Sequence, residues 1–249
     1  MRTIAIILSG GRGTRFGAAI PKQYIEVCGK PVLAYTLSAF QESHVDEIVI
    51  VAAAEYMELC RQIASDHGIS KLTAVVEGGA ERYDSVLNGL RHVMDADSCA
   101  IVLIHDGARP FITANAINDI IDETAEAGAC IAATHCTDTI KLADANDQIV
   151  STTDRSLTWA AQTPQAFYLD DIYDAYEQLI GTGKSMKSGV KITDDAMVYQ
   201  LAYPDRAVRL YDAGKDNFKI TSPSDIILAE MIIRKERSDL ANIDSQNQS

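Results

Sequence analysis

Three observations predict a doubly wound α/β fold with a mainly parallel sheet. Short Ile- and Val-rich runs recur along the chain, amphipathic helical patterns separate them, and the first run ends in a glycine-rich loop. Residues 4–8 form the first run, followed by 47–51, 72–76, 100–104 and 129–134, each close to continuously apolar, as strands covered on both faces are. Residues 32–41, 55–67, 83–94 and 114–127 repeat apolar positions at helical spacing and supply the covering layers. In such sheets ligands bind beyond the carboxyl ends of the strands, which directs attention to the residues immediately after Leu8, Val76 and Ile104.

The 249 residues, 47% of them hydrophobic, suit one large domain, expected to span 1–237. A net charge of -13 excludes the broad basic face that nucleic-acid binding requires, so any anionic ligand must meet a local basic pocket. The five cysteines are odd in number and never spaced as CxxC, which argues against a disulfide framework and a zinc site and for a reducing cytoplasm. The early apolar run is too short for a signal sequence or membrane span, so a soluble cytoplasmic protein is expected.

From 136 to 158 the rhythm breaks into polar, Asp- and Thr-rich sequence with a turn near 144–147, read as an arm projecting from the core. Beyond it the pattern predicts a helix over 169–179, another from Asp194, a strand over 207–211, a closing helix over 224–234, and a disordered polar tail at 238–249. Asp194 and Asp195 are expected as the first acids of a helix capped from Thr193.

The loop after the first run has the make-up of a phosphate site. Gly10, Gly11 and Gly13 let the backbone approach closely and turn N–H groups toward an anion, while Arg12, Arg15 and Lys22 supply charge. Two familiar alternatives fail on spacing. The dinucleotide fingerprint lacks its third glycine, because Phe16 stands there, and Ala52 to Ala54 offer no acid after the second strand. The P-loop ending is absent, because Lys22 lies between Pro21 and Gln23. After the strand ending at Ile104 come His105, read as a structural histidine, and Asp106, which could hold Mg²⁺ against a triphosphate; Arg109 could take a phosphate monoester. Gly78, Gly79 and Ser85 could read a base edge, and Asp216 and Lys219 place a second candidate metal ligand and a cation after the last strand.

Four segments, the loop 8–23, residues 105–110, Thr163-Pro164-Gln165 and 216–221, together resemble the family of cytidylyltransferases acting on 2-C-methyl-D-erythritol 4-phosphate and ribitol 5-phosphate, over roughly residues 4–229. The resemblance implies transfer of CMP from CTP to a polyol phosphate with release of pyrophosphate. It implies CTP held by Leu8, Ser9, Gly10, Gly11, Arg12 and Gly13, with Arg15 and Lys22 stabilising the transferred phosphate, Mg²⁺ near Asp106, and Lys219 on the triphosphate. Gly79, Ala80 and Ser85 match cytosine-contacting positions. Ala80 replaces the Asp usual in the methylerythritol enzymes and points toward the ribitol branch, whereas Trp159 and the run Ile192-Thr193-Asp194-Asp195 point back to methylerythritol, the acceptor expected first. The implied acceptor set is Asp106, Arg109, Thr139, Arg155 and Thr163, with the Arg155 equivalent reaching in from a neighbouring subunit's arm, hence a homodimer with exchanged arms. A non-catalytic nucleotide-binding protein is the alternative of a different class, disfavoured by the presence together of Arg15, Lys22, Asp106 and Lys219.

Overall fold

The computed structural model describes residues 1–11, 20–94, 99–182 and 191–247. In chain order the strands are β1 (Thr3–Ser9), the short ribbon β2 (Glu26–Val27) and β3 (Lys30–Pro31), β4 (Glu47–Ala52), β5 (Leu72–Glu77), β6 (Ile101–Asp106), β7 (Ala129–His135), the hairpin β8 (Lys141–Ala143) and β9 (Ile149–Thr152), β10 (Trp159–Tyr168) and β11 (Arg209–Asp212). The helices are α1 (Val32–Glu42), α2 (Met57–Asp66), α3 (Arg82–Val93), α4 (Ala114–Ala127), α5 (Leu169–Tyr176), α6 (Asp195–Ala202) and α7 (Pro223–Asn247). Seven strands make one sheet in the order β11-β7-β10-β6-β1-β4-β5, parallel except for β10, in agreement with the doubly wound expectation.

Alternation along each strand divides the core. Ile4 and Ile6 face α3, α5 and α6 with Val49, Val51, Val102 and Ile104, while Ala5 and Ile7 face α1, α2 and α4 with Ile48, Ile50 and Leu103. Both layers are apolar because both faces of the sheet are covered, so the central strands β1, β4 and β6 run almost entirely in apolar residues. A third, smaller cluster, Val27, Val32, Ile220, Ala229 and Ile233, fastens α7 to the β2–β3 ribbon.

Three features depart from the sequence expectations. Strand β10 is absent from the predicted pattern, yet it lies between β6 and β7 and pairs antiparallel with both. Its middle, Gln162, Thr163 and Pro164, is polar and contains proline; the register shifts between Ala161 and Gln165, and at such an irregularity a proline needs no ladder N–H. The helix α6 is capped by Asp194, whose side chain accepts from Met197 N–H at 3.0 Å, rather than by Thr193. The closing helix does not stop near Arg234. It continues to Asn247 through sequence expected to be disordered, because once Asp225 accepts the Thr221 and Ser222 N–H groups and Ala229 and Ile233 are packed, each further residue adds a helical bond without a new nucleus.

Candidate active site

The parallel register brings three strand ends to one edge: Leu8 lies opposite Asp106, Ser9 opposite Ala52, and Ala52 opposite Glu77. Since β1 is flanked by β4 on one side and β6 on the other, this is where the strand order reverses and a crevice opens. A cleft of about 930 Å³ occupies it, lined among others by Gly11, Lys22, Gly79, Ser85, Asp106 and Lys219. No helix among the described residues is long and apolar enough to cross a membrane.

The start of the glycine loop is braced from below. Gln23 Nε2 donates to Ser9 O at 2.7 Å and to Gly11 O at 3.3 Å, and the Ser9 and Tyr24 hydroxyls meet at 3.0 Å. Leu8, Gly10 and Gly11 therefore line the cleft, whereas the Ser9 side chain is buried against Tyr24 and turned away from it. Lys22 opens the short 3-10 turn Lys22–Tyr24 and reaches the cleft wall with its neighbours anchored. Arg12, Gly13 and Arg15 lie outside the described residues.

On the opposite wall, Ser85 in the first turns of α3 pins the turn that leads into its own helix. Its hydroxyl accepts the Gly79 N–H at 3.0 Å and donates to Glu81 O at 3.2 Å. A Cβ on Gly79 would fall 2.2 Å from Asp84 Cβ and 3.1 Å from its backbone carbon, so only glycine fits this approach. Ser85 thus acts on the backbone of the turn, with Gly79 and Ala80 forming the exposed lip of the cleft.

Asp106 ends β6 almost fully buried, and each oxygen of its carboxylate has a cation within 4 Å. Lys219 Nζ is 2.9 Å from Oδ2, Arg109 Nε is 3.5 Å from Oδ2, and Arg82 Nε is 3.6 Å from Oδ1. Burial alone would raise its pKa; Lys219 first, then Arg82 and Arg109, overcome that and hold the carboxyl well below the usual carboxylate range. Beneath it, Thr163 Oγ1 accepts the Asp106 N–H at 3.0 Å, so its own proton goes to His105 Nδ1 at 3.1 Å, and His105 Nε2–H donates to Arg109 O at 3.2 Å. His105 is a fully buried neutral brace, as its place in an apolar strand suggested.

That brace has a pH signature. Burial lowers the His105 pKa to about 3, below the roughly 6.5 of an unfolded histidine, so the unfolded chain binds the proton more readily. The contribution is fully present above about pH 6.5 and is lost as pH falls toward 3. His105→Asn, which carries no such proton, is expected to be less stable at pH 7 yet to lose less stability between pH 7 and 5 than the parent, measured as urea midpoints at both pH values. Equal losses in the two proteins would refute the assignment.

Arg82 is a site residue that the sequence motifs do not mark, although its position is unusual. It is the first residue of α3, where the helix dipole disfavours a cation. Its NH1 and NH2 groups donate to Asp195 Oδ1 and Oδ2 at 2.8 and 2.7 Å, and Asp195 is wholly buried with the Tyr176 hydroxyl donating to the same Oδ1. Gln165 Oε1 accepts the Asp195 and Ala196 N–H groups at 3.0 and 2.8 Å, tying the start of α6 to β10.

The acceptor set expected from the sequence is not assembled within one chain. Arg109 donates to Asn217 O at 2.9 Å, and the Thr163 hydroxyl is engaged beneath Asp106. Thr139 and Arg155 are exposed on the arm, where Arg155 NH1 reaches Thr137 O at 3.3 Å, and neither lines the cleft. Asp216 is exposed and likewise outside the lining, whereas Lys219 and Thr221 of the same segment reach it. Among the described residues no three His, Cys, Asp or Glu side chains cluster as a metal-binding group.

The sequence model of the 2-C-methyl-D-erythritol 4-phosphate cytidylyltransferase family matches residues 3–235. A protein of that name from Lachnospira eligens is 44% identical over 231 residues, which cover 92% of this chain and 98% of its own. Another from Lachnoclostridium phytofermentans is 41% identical over 239 residues, covering 95% and 98%. Among solved structures, the 4-diphosphocytidyl-2C-methyl-D-erythritol synthase of Anaerococcus prevotii is similar with a TM-score of 0.79 at 31% identity, over 94% of this chain and 96% of its own. The Francisella tularensis 2-C-methyl-D-erythritol 4-phosphate cytidylyltransferase reaches a TM-score of 0.74 at 27% identity, over 93% and 99%.

Proposed function

The chain belongs to the 2-C-methyl-D-erythritol 4-phosphate cytidylyltransferase family, and from that premise we propose how its own residues carry the reaction. The activity is transfer of CMP from CTP to 2-C-methyl-D-erythritol 4-phosphate with release of pyrophosphate, a step of isoprenoid precursor synthesis, and the ribitol branch toward which Ala80 pointed is not the one its relatives carry. The observation that carries the site assignment is that Lys22, Lys219 and the ionised Asp106 line the same cleft as the Gly79 turn.

An oxygen of the acceptor phosphomonoester forms a bond to the α-phosphorus of CTP as the bond from that phosphorus to the bridging β-phosphate oxygen breaks, and pyrophosphate departs. With a second pKa near 6, the monoester is largely dianionic at neutral pH, so no general base is needed. His105, buried and neutral, is not one. The protein's contribution is position and fixed positive charge: Lys22 on its braced turn and Lys219 beside Asp106, together with Arg15 from the loop outside the described residues.

Magnesium fits the donor set. Mg²⁺ keeps several waters and takes one or two carboxylates plus phosphate oxygens, so the single deprotonated carboxylate of Asp106 in the cleft suffices and a protein cage is unnecessary. Asp106 would hold the ion, which when bound would supply charge neutralisation to the triphosphate. Asp216, exposed beyond the cleft lining, is the weaker candidate.

The active assembly in this proposal is a homodimer with exchanged arms, in a reducing cytoplasm. The β8–β9 hairpin pairs with no other strand among the described residues and exposes Leu142, Ile149 and Val150, with Leu157 following at 78% exposure; an isolated two-stranded ribbon with apolar side chains in water is marginal unless something covers it. Exchange would carry Arg155 and Thr139 toward the partner's cleft. None of the five cysteines is in a disulfide.

The test is pyrophosphate release by the purified chain with CTP and Mg²⁺. Release is expected with methylerythritol phosphate, abolished by a chelator, and absent with ribitol phosphate, in a sample that sediments as a dimer. Release with ribitol phosphate alone would overturn the acceptor, release in excess chelator would overturn the metal, and an active monomer would overturn the arm exchange.

A further inference from the structure

The buried carboxylate of Asp195 is costly to keep where it is. It is taken fully out of water, and a buried ion pair seldom repays its desolvation in stability, so apolar residues of similar volume would serve the core as well or better. What the pair does supply is geometry. The planar guanidinium of Arg82 spends both terminal nitrogens on the two oxygens of Asp195, at 2.8 and 2.7 Å, which fixes its rotation and leaves Nε at ion-pair distance, 3.6 Å, from Asp106 Oδ1. Asp195 is in turn fixed from two sides: Tyr176 donates to its Oδ1, and its backbone N–H is held by Gln165 of β10, the strand that also presents Thr163 beneath Asp106. Both ends of the relay thus rest on the same strand.

We propose that Asp195 is a positioning residue for the transfer: it acts through Arg82 to set the plane of the Asp106 carboxylate, with Arg82 on Oδ1 opposing Lys219 and Arg109 on Oδ2. A carboxylate with one oxygen gripped and the other released would turn toward Lys219. The Asp195–Arg82 fork prevents that turn and keeps a fixed positive charge on the cleft wall between the Gly79 turn and Asp106. A helix N-terminus that tolerates a cation as its first residue is explained by the same relay, since the Asp195 charge offsets the unfavourable dipole.

The inference rests on the assignment of Asp106 to the transfer centre, and the experiment separates the two. Turnover, KM for CTP, CTP-binding stoichiometry and melting temperature are measured for Asp195→Asn, Arg82→Lys, Tyr176→Phe and Asp106→Asn. Asp195→Asn keeps the shape but loses the charge and one acceptor of the fork, and Arg82→Lys keeps the charge but cannot span both oxygens. Each is expected to lose about 10- to 100-fold in turnover per CTP-binding site, as removal of a partner behind a functional ligand typically does, with KM for CTP within about threefold. Tyr176→Phe removes one support of Asp195 but leaves the fork in place: it is expected to melt at a lower temperature and to lose less turnover per site than either fork variant. If Asp195→Asn fails to fold, Arg82→Lys decides. Turnover per site at the parental level in the folded variants, or a loss in Tyr176→Phe equal to theirs, overturns the positioning role. A fully active Asp106→Asn would instead overturn the assignment beneath it.

Discussion

Lys22→Ala is expected to lower turnover about 10²- to 10³-fold while changing the CTP dissociation constant by less than about tenfold. The asymmetry comes from where Lys22 is anchored. It opens a 3-10 turn whose next two residues are buried, Gln23 bonded to the backbone oxygens of Ser9 and Gly11 and Tyr24 to the Ser9 hydroxyl, so the ammonium is carried by a fixed support at the cleft wall. In the proposed site, ground-state CTP would already be held by the start of the glycine loop, Lys219 and the base-side turn. As the bond to the departing pyrophosphate stretches, negative charge gathers on the phosphate oxygens, and a preorganised ammonium there would stabilise the transition state more than the bound substrate. Turnover and dissociation constant, measured separately by steady-state pyrophosphate release and by calorimetry, distinguish this from a simple binding role. A raised dissociation constant with turnover unchanged would make Lys22 a tether for CTP and nothing more.

Legibility tracked the range of the interactions involved. Strands β1, β4, β6 and β7 could be read because their pattern is set by burial on both faces, and the half-buried edge strand β5 by its apolar run, properties each run carries by itself. Asp106 could be read because an acid directly after such a run must stand at the ligand-bearing edge of the sheet. Strand β10 could not, since its centre is polar and contains Pro164, and it is held by pairing with β6 and β7, two elements distant in sequence. That one omission brings others with it. Without β10 beside β6, nothing shows that the Thr163 hydroxyl already accepts the Asp106 N–H and meets His105. Arg82 and Asp195 are 113 residues apart, and each alone has an ordinary explanation, a solvated helix-end cation and a helix-start acid. The one local hint was an arginine at the first position of a helix, a place that repels it.

The base half of the cleft makes the complementary demand. Gly79→Ala is expected to raise KM for CTP on the order of 10²-fold while leaving turnover at saturating CTP within about threefold, the reverse of the Lys22 pattern. The added Cβ would lie 2.2 Å from Asp84 Cβ and 3.1 Å from backbone of the same residue, and backbone inside the first turn of α3 cannot yield as the end of a flexible side chain could. The turn itself must shift instead, breaking the 3.0 Å bond from Gly79 N–H to the Ser85 hydroxyl and moving the exposed lip formed by Gly79 and Ala80, where the nucleobase is assigned. Displacement of about 1 Å in a positioning element is enough for a loss of that size. Ser85→Ala removes the anchor without the collision, so its effect should be limited to one hydrogen bond, about 1 kcal/mol or roughly fivefold in KM. Asp106, Lys219 and Lys22 belong to other elements and are untouched by either change, so saturating CTP should restore the chemical step. Parental KM values in Gly79→Ala would mean that the turn neither contacts the base nor shapes the wall that does.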